Sequence, residues 1–346
     1  MKNIKQMMVW LQKKAFSQCV IVTDNTVKKH YGISLQNSLE KAGCKALLIS
    51  FPAGDKHKNN DIKEKIETRM FAANVDRQAV ILALGGGVIG DIAGFVAATY
   101  LRGIPYIQIP TTLLAMVDSS IGGKTGINTV HGKNTIGCIY HPVAIVREMV
   151  FLKTLSKKHM LNGLIEIIKL FLTHDAQSFK YVEKNPDRIL EHDEMCLSFV
   201  MKRAISIKKN IVSRDETDKN ERLLLNFGHT IGHALEKYSD YAIPHGVAVG
   251  YGMLAESAIS VRLGLLELEK YHVIKNVLGR LGLRTEHFKK WDVDRLILST
   301  KNDKKNKNKK THYVLLSDLG KAYVKEDSHT HAVDDKVVKS VLRGLM

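Results

Sequence analysis

The sequence predicts a two-lobed α/β protein, with an N-terminal lobe built on a parallel sheet and a C-terminal lobe that is mainly α-helical. Three observations carry this expectation. The 346 residues exceed what one typical domain holds, so two cores are expected. Up to about residue 150, short β-branched runs alternate with amphipathic stretches, the pattern of parallel strands joined by helices. Beyond Thr154 the β signal fades and long helical patterns take over, which places the boundary between residues 1–154 and 155–346.

Taken in order, CVIVTD, KALLISF, AVILALGG and YIQIP are the expected strands. Between them, VKKHYGISLQNSLEKAG and DIKEKIETRMFAANV space their apolar residues by three and four, as helices packed on a sheet do. The longest apolar stretch, residues 79–98, approaches membrane-spanning length but is broken by Gly85, Gly86, Gly87, Gly90, Asp91 and Gly94. A strand, a glycine turn and a buried helix account for it, and no membrane association is expected. In the second lobe helices are expected over 155–174, 195–211, 228–238 and 248–263. HYVLLSDLGKAYV reads as a hairpin around Ser317, Asp318 and Gly320, followed by a closing helix containing VVKSVLRGLM.

The apolar fraction of 45% and charged fraction of 25% match globular averages, which argues against disorder and fibrous repeats. A net charge of +17 attracts polyanions. The lysines are nonetheless spread along the chain apart from residues 301–310, and no nucleic-acid-binding signature accompanies them, so nucleic acid is not the expected partner. A phosphorylated acid is the alternative anion. Cys19, Cys44, Cys138 and Cys196 form no CxxC pair and sit in strand-like or helical apolar surroundings, which implies reduced, buried thiols. The segment through Phe16 alternates lysines with apolar residues and shows no secretory pattern, so a cytoplasmic protein is expected.

Four stretches carry chemistry. GGGVIGD, from Gly85 to Asp91, follows a strand and opens a helix, where glycines let a dinucleotide pyrophosphate approach backbone N–H groups; a tight turn that simply needs small residues is the alternative. It lies on the third expected strand and lacks the acidic residue of an orthodox Rossmann fingerprint. IPTTLLAMVDSSIGGKTGI places Asp118 and Lys124 in an otherwise apolar run, as a ligand-binding pair or a structural ion pair. Gly132, Lys133 and Asn134 follow, with groups suited to phosphate or carboxylate.

The fourth stretch lies in the second lobe. His229 and His233 stand four apart in GHTIGHALE and share a helix face, His245 follows in PHGVAVGYG at an expected helix start, and Glu166 sits among isoleucines with Lys169 one turn later. A carboxylate and two imidazoles make up a catalytic zinc site, although core histidines satisfied by hydrogen bonds would show the same spacing. Arg222 and Asn226 would share a wall with His229 if that helix extends back to them, a surface arginine and a capping asparagine being the alternative, and Lys208 lies near the end of the preceding helix, where a solvated lysine is the ordinary expectation.

Together these strings resemble the 3-dehydroquinate synthase family, in order and spacing, from about Thr23 to about Val324. VDSSIGGKTGIN looks like the dehydroquinate branch rather than the inosose- or valiolone-forming branches of the sugar-phosphate cyclases. The resemblance implies that Glu166, His229 and His245 hold zinc, with cobalt as an alternative, while His233 faces substrate. It implies that Asp118, Lys124, Asn134, Lys169, Lys208, Arg222 and Asn226 surround the substrate, that Arg102 enters from a partner in a homodimer, and that Lys304 or Lys305 closes over its phosphate. For NAD it implies Asp24, Asp55 and Lys58 near the adenosine half, Gly86, Gly87 and Asp91 at the pyrophosphate, and Thr111, Thr112, Asp118, Ser119, Lys133 and Thr154 nearby. Asp55 stands where the family usually has glutamate, Thr26 where asparagine is common, and His159 where an acidic residue is frequent.

The implied reaction converts 3-deoxy-D-arabino-heptulosonate 7-phosphate to 3-dehydroquinate and phosphate in the shikimate pathway, by transient oxidation with NAD, phosphate elimination, reduction and aldol closure. In that chemistry His233 is a plausible proton-transfer group. The fold class becomes an α/β protein with an NAD-binding lobe and a metal- and substrate-binding helical lobe. Two other readings compete, a metal-dependent polyol dehydrogenase of related architecture and a polyanion-binding protein. The lysine- and arginine-rich set favours a phosphorylated acid over a simple alcohol.

Overall fold

The computed structural model describes residues 3–301 and 311–345. The chain divides into two compact units, Met1–Leu155 and Ser156–Met346.

In the first unit, α1 (Ile4–Lys14) is capped by Asn3 and buries Met7 and Leu11. β1 (Cys19–Asp24) then runs through the middle of a parallel sheet, pairing with β2 (Ala46–Phe51) on one side and β3 (Val80–Gly85) on the other. β4 (Tyr106–Pro110) pairs with β3, and the two-residue β7 (Ala144–Ile145) pairs with β4, so the order is β2-β1-β3-β4-β7. β3 and β4 are buried along their whole length, which explains their unbroken apolar sequence. The connections are α2 (Asn25–Val27) and α3 (Ile33–Lys41), then α4 (Asn60–Ala72), then α5 (Gly87–Thr99). VKKHYGISLQNSLEKAG is not one helix: Asp24 caps α2, a wide π-type turn spans Lys28–Gly32, and α3 starts only at Ile33.

One element had no strand signal. β5 (Lys124–Thr129) and β6 (Gly132–Ile139) form an antiparallel hairpin in which Gly126 and Gly137 face each other. A Cβ on either would run into the backbone of the opposite strand, and a Cβ on Gly94 of α5 would meet Thr125 and Tyr106. The two strands can therefore lie this close because Gly126 and Gly137 carry no side chain, and the hairpin can lie against α5 because Gly94 carries none. The outer end of β6 is exposed, and Cys138 with it; Cys44 is half-buried. These two thiols correct the expectation of four buried ones, whereas Cys19 and Cys196 are buried.

The second unit is helical: α6 (Lys157–His174), α7 (Ala176–Lys184), α8 (Pro186–Leu190), α9 (Glu194–Arg214), α10 (His229–Tyr238), α11 (His245–Arg262), α12 (Leu268–Arg280), α13 (Val293–Thr300) and α14 (Asp335–Gly344). Two short antiparallel pairs accompany them, β8 (His312–Tyr313) with β11 (His331–Ala332), and β9 (Leu316–Asp318) with β10 (Lys321–Ala322), the latter being the expected hairpin. α6 is buried at every position from Gly163 to Thr173, so it is a central helix rather than an amphipathic surface one. α10 and α11 cross at backbone contact, because a Cβ on Gly252 would collide with the Gly228 carbonyl and one on Gly232 would press on Val249. Among the described residues no helix is long and apolar enough to cross a membrane.

Candidate functional site

Glu166 is wholly buried on α6, and His229 and His245 are the first residues of α10 and α11. One ligand atom from each lies within 4.8 Å of the others. Both histidines turn Nε2 to the same carboxylate oxygen, Glu166 Oε1, at 3.8 Å from His229 and 3.5 Å from His245. Their other ring nitrogens are held from behind. His229 Nδ1 is 3.2 Å from the Phe227 carbonyl, and His245 Nδ1 is 3.0 Å from Glu236 Oε2. A carbonyl and an ionised carboxylate only accept, so each Nδ1–H donates and each Nε2 can offer its lone pair to the Glu166 side.

This donor set, two imidazole nitrogens and one carboxylate with positions left over, fits a divalent cation such as zinc. The field in the pocket demands positive charge. Burial works against a charged His245, yet with no cation bound its hydrogen bonds to Glu166 and Glu236 outweigh that and push it up to about 10, so a cation takes the Nε2 lone pair by displacing the Nε2 proton. Lys169 ion-pairs with the second oxygen of Glu166, and both side chains are buried. His233, one turn along α10, lies with its ring centroid 5.3 Å from that of His229 and 6.0 Å from that of His245.

The backbone explains why these side chains converge. Gly246 N donates to Asn162 Oδ1, and a Cβ on Gly246 would strike the Asn162 backbone, so the start of α11 is seated on α6. Gly228 adopts φ +77° and donates its N–H to Glu256 Oε2 at 2.7 Å, which fixes the start of α10 against α11. That left-handed residue also breaks the helix. Arg222 and Asn226 lie on a separate tight turn, Glu221–Asn226, so they do not continue the helical face of His229. Arg222 is buried, donating from Nη1 to the Glu216 carbonyl at 2.7 Å, and Asn226 Nδ2 donates to the Leu223 carbonyl at 3.1 Å. Lys208 is buried on α9.

The first unit brings together a different set. Gly86 precedes α5, a Cβ on it would crowd Thr112, and one on Gly87 would lie 3.1 Å from Ser119 Oγ, so the helix start is an uncovered backbone turn beside two hydroxyls. Lys58 is buried and bridges Asp91 on α5 to Asn134 on β6. Burial pushes the Asp91 carboxyl up, against the pull of Lys58. Lys133 pairs with Asp55 at 3.1 Å, and Asn128 Nδ2 donates to the same carboxylate at 3.2 Å. Asp24 accepts from the Thr26 and Val27 N–H groups, Thr111 N donates to the Gly85 carbonyl, and Thr154 shares a 2.7 Å hydrogen bond with Tyr31. Asp118 and Ser119 share the wide turn Ala115–Ser119, Lys124 is exposed at the head of β5, and Arg102 is exposed with φ +67°. Lys304 and Lys305 lie outside the described residues.

Sequence reasoning missed Glu236, Glu256, Asn162 and Arg147. Arg147 donates from Nε to the Met116 carbonyl at 2.7 Å and pins the turn that carries Asp118. Glu256 carried the very signal used for Glu166, a carboxylate in an apolar helical run. Glu236 sat inside the quoted string GHTIGHALE, where its helical position, seven after His229, could have marked it.

Family models described as 3-dehydroquinate synthase N-terminal and 3-dehydroquinate synthase C-terminal match residues 48–162 and 163–306. The chain belongs to the 3-dehydroquinate synthase family. A 3-dehydroquinate synthase of Thermoanaerobacter pseudethanolicus is 41% identical over 309 residues, covering 89% of this chain and 86% of that one. Among solved structures, a 2-deoxy-scyllo-inosose synthase complexed with carbaglucose-6-phosphate, NAD+ and Co2+ is similar at TM-score 0.90 and 25% identity, covering 98% and 94% of the two chains. A 2-epi-5-epi-valiolone synthase from Streptomyces hygroscopicus subsp. jinggangensis, with NAD+ and Zn2+ bound, is similar at TM-score 0.87 and 29% identity, covering 96% and 92%. The identities order the branches as VDSSIGGKTGIN does, with the dehydroquinate synthase nearer than the two other cyclases.

Proposed function

We infer that the chain acts as a 3-dehydroquinate synthase, a phosphate-eliminating lyase that converts 3-deoxy-D-arabino-heptulosonate 7-phosphate to 3-dehydroquinate. The observation that carries the chemistry is the inward pair of Nε2 atoms on Glu166, each imidazole backed by an acceptor. Glu166, His229 and His245 would hold Zn2+, with Co2+ as an alternative. The cation, when bound, supplies Lewis acidity toward substrate hydroxyls, and NAD, when bound, supplies a transient hydride acceptor.

The chain's own residues do the rest. Lys169 pairs with Glu166 and offers a charge to an anionic substrate. His233, adjacent to the ligand pair, is placed to accept or return a proton at its imidazole. Lys208, Arg222, Asn226, Asp118, Lys124 and Asn134 are the proposed substrate contacts, supported by the resemblance. So are Lys304 and Lys305. The turn at Gly86 and Gly87, with Asp91, Lys58, Asp24, Asp55, Lys133, Thr111, Thr112, Ser119 and Thr154, is the proposed NAD site. A cytoplasmic homodimer with Arg102 reaching its partner's site completes the proposal, supported by the resemblance alone.

Phosphate release from the seven-carbon substrate, with NAD, after chelation and after zinc is restored, tests the function. Metal-dependent release without accumulating NADH is expected. No release from folded, zinc-loaded protein would overturn it.

A further inference from the structure

We propose that Glu236 is a positioning residue of the metal centre, fixing the ring orientation and donor strength of His245 through its Nδ1–H. The inference rests on the reading of Glu166, His229 and His245 as the ligand set. Glu236 belongs to α10, the helix that begins with His229, yet its Oε2 reaches across to His245 on α11 at 3.0 Å. The contact meets the ring nitrogen of the other helix's first residue.

The two histidines differ in how much support they need. The His229 side chain is 12% exposed and its Nδ1 meets the carbonyl of Phe227, two residues earlier in the chain. The His245 side chain is 32% exposed, so packing restrains its ring less. A buried ionised carboxylate behind the less confined ring supplies what packing does not. It also draws the Nδ1 proton toward itself and makes Nε2 a stronger donor than a carbonyl partner would.

Glu236 also groups with His233 and His245 as atoms close enough to share an ion. It sits, however, on Nδ1 of His245, while Nε2 of the same ring faces Glu166. A cation held among Glu166, His229 and His245 therefore lies across the ring from Glu236, which makes Glu236 a support and not a fourth ligand. The reciprocal contact of Glu256 on Gly228 N ties α10 to α11 independently, so the helix pair does not depend on Glu236 alone.

The test uses full-length protein, stripped by chelator and titrated with Co2+ and Zn2+ against a chromophoric competitor, as wild type, Glu236→Gln and Glu236→Asp. The aspartate keeps the charge but withdraws it from Nδ1, and serves if the glutamine variant does not fold. The expected result is binding weakened roughly 10- to 100-fold with a shifted visible Co2+ absorption, while the metal-free variants melt as wild type does. Wild-type affinity and an unchanged Co2+ spectrum in the variants would overturn the inference alone, as would an affinity loss matched by loss of the metal-free fold. Wild-type protein that binds neither ion would overturn the ligand assignment, and the inference with it.

Discussion

Lys169 and Glu166 form an ion pair three residues apart on α6, with side chains 3% and 1% exposed. Removing one partner of such a pair strands the other charge in the core, which costs roughly 3–5 kcal/mol. A bound cation offsets that charge. Lys169→Ala should therefore melt well below wild type when metal-free and recover much of the difference when zinc-loaded, with turnover impaired more than metal content. Calorimetry with and without zinc checks this; a deficit that zinc leaves untouched would contradict the shared role of Glu166.

His245→Ala removes a ring whose two nitrogens face Glu166 and Glu236. The variant should keep its helical circular dichroism, lose zinc on dialysis against a weak chelator and lose activity. Stoichiometric zinc after dialysis would take His245 out of the ligand set.

Gly252 has no room for a methyl group, because the Gly228 carbonyl occupies that space. Gly252→Ala should cost about 1–3 kcal/mol by overpacking. Since Gly228 directly precedes His229, metal should also dissociate faster. Equal melting and equal metal off-rates in the two proteins would show that the crossing relaxes.

Lys58 bridges Asp91 and Asn134 in the first unit. Lys58→Met should weaken NAD binding by ~10-fold or more, the worth of a charge-assisted hydrogen bond, and leave zinc content as it was. Titration calorimetry with NAD decides. Unaltered affinity would remove this network from the cofactor site.

His174, last residue of α6, is held neutral by burial, its imidazole lowered to about 4. An unfolded chain protonates the same ring near 6.5, so between those values the unfolded state binds more protons and stability falls as pH drops. The loss should amount to on the order of 3 kcal/mol across that window. His174→Gln should flatten this part of the stability–pH curve, and denaturant melts at pH 7 and pH 4.5 measure it. An identical acid slope in both proteins would mean that His174 does not carry it.

The parallel sheet was legible because β-branched runs are buried on both faces, and β1 and β4 coincide with CVIVTD and YIQIP. The helix starts at His245 and the hairpin near Gly320 were legible from proline and glycine punctuation. The β5–β6 hairpin was not, since its packing depends on absent side chains at Gly126 and Gly137 instead of on an alternating pattern. Of the proposed site, spacing marked His229, His233, His245 and Glu166 alike. It could not show that Phe227 and Glu236 stand behind two of the rings, because both contacts depend on where α10 and α11 begin. The break at Gly228, which separates Arg222 and Asn226 from that face, needed a backbone angle that no periodicity encodes.

The charged pair in the middle of α6 bears on how the second unit assembles during synthesis. α6 leaves the ribosome before α10 and α11, and apart from Glu166 and Lys169 its central turns are almost wholly apolar. Those two residues make a polar blemish that no early apolar partner can cover favourably. Lys169 complements one oxygen of Glu166 from within α6, and His229 and His245 face the other. Burial of α6 should therefore be most favourable once α10 and α11 have been made, so that partial intermediates gain less from covering it ahead of time.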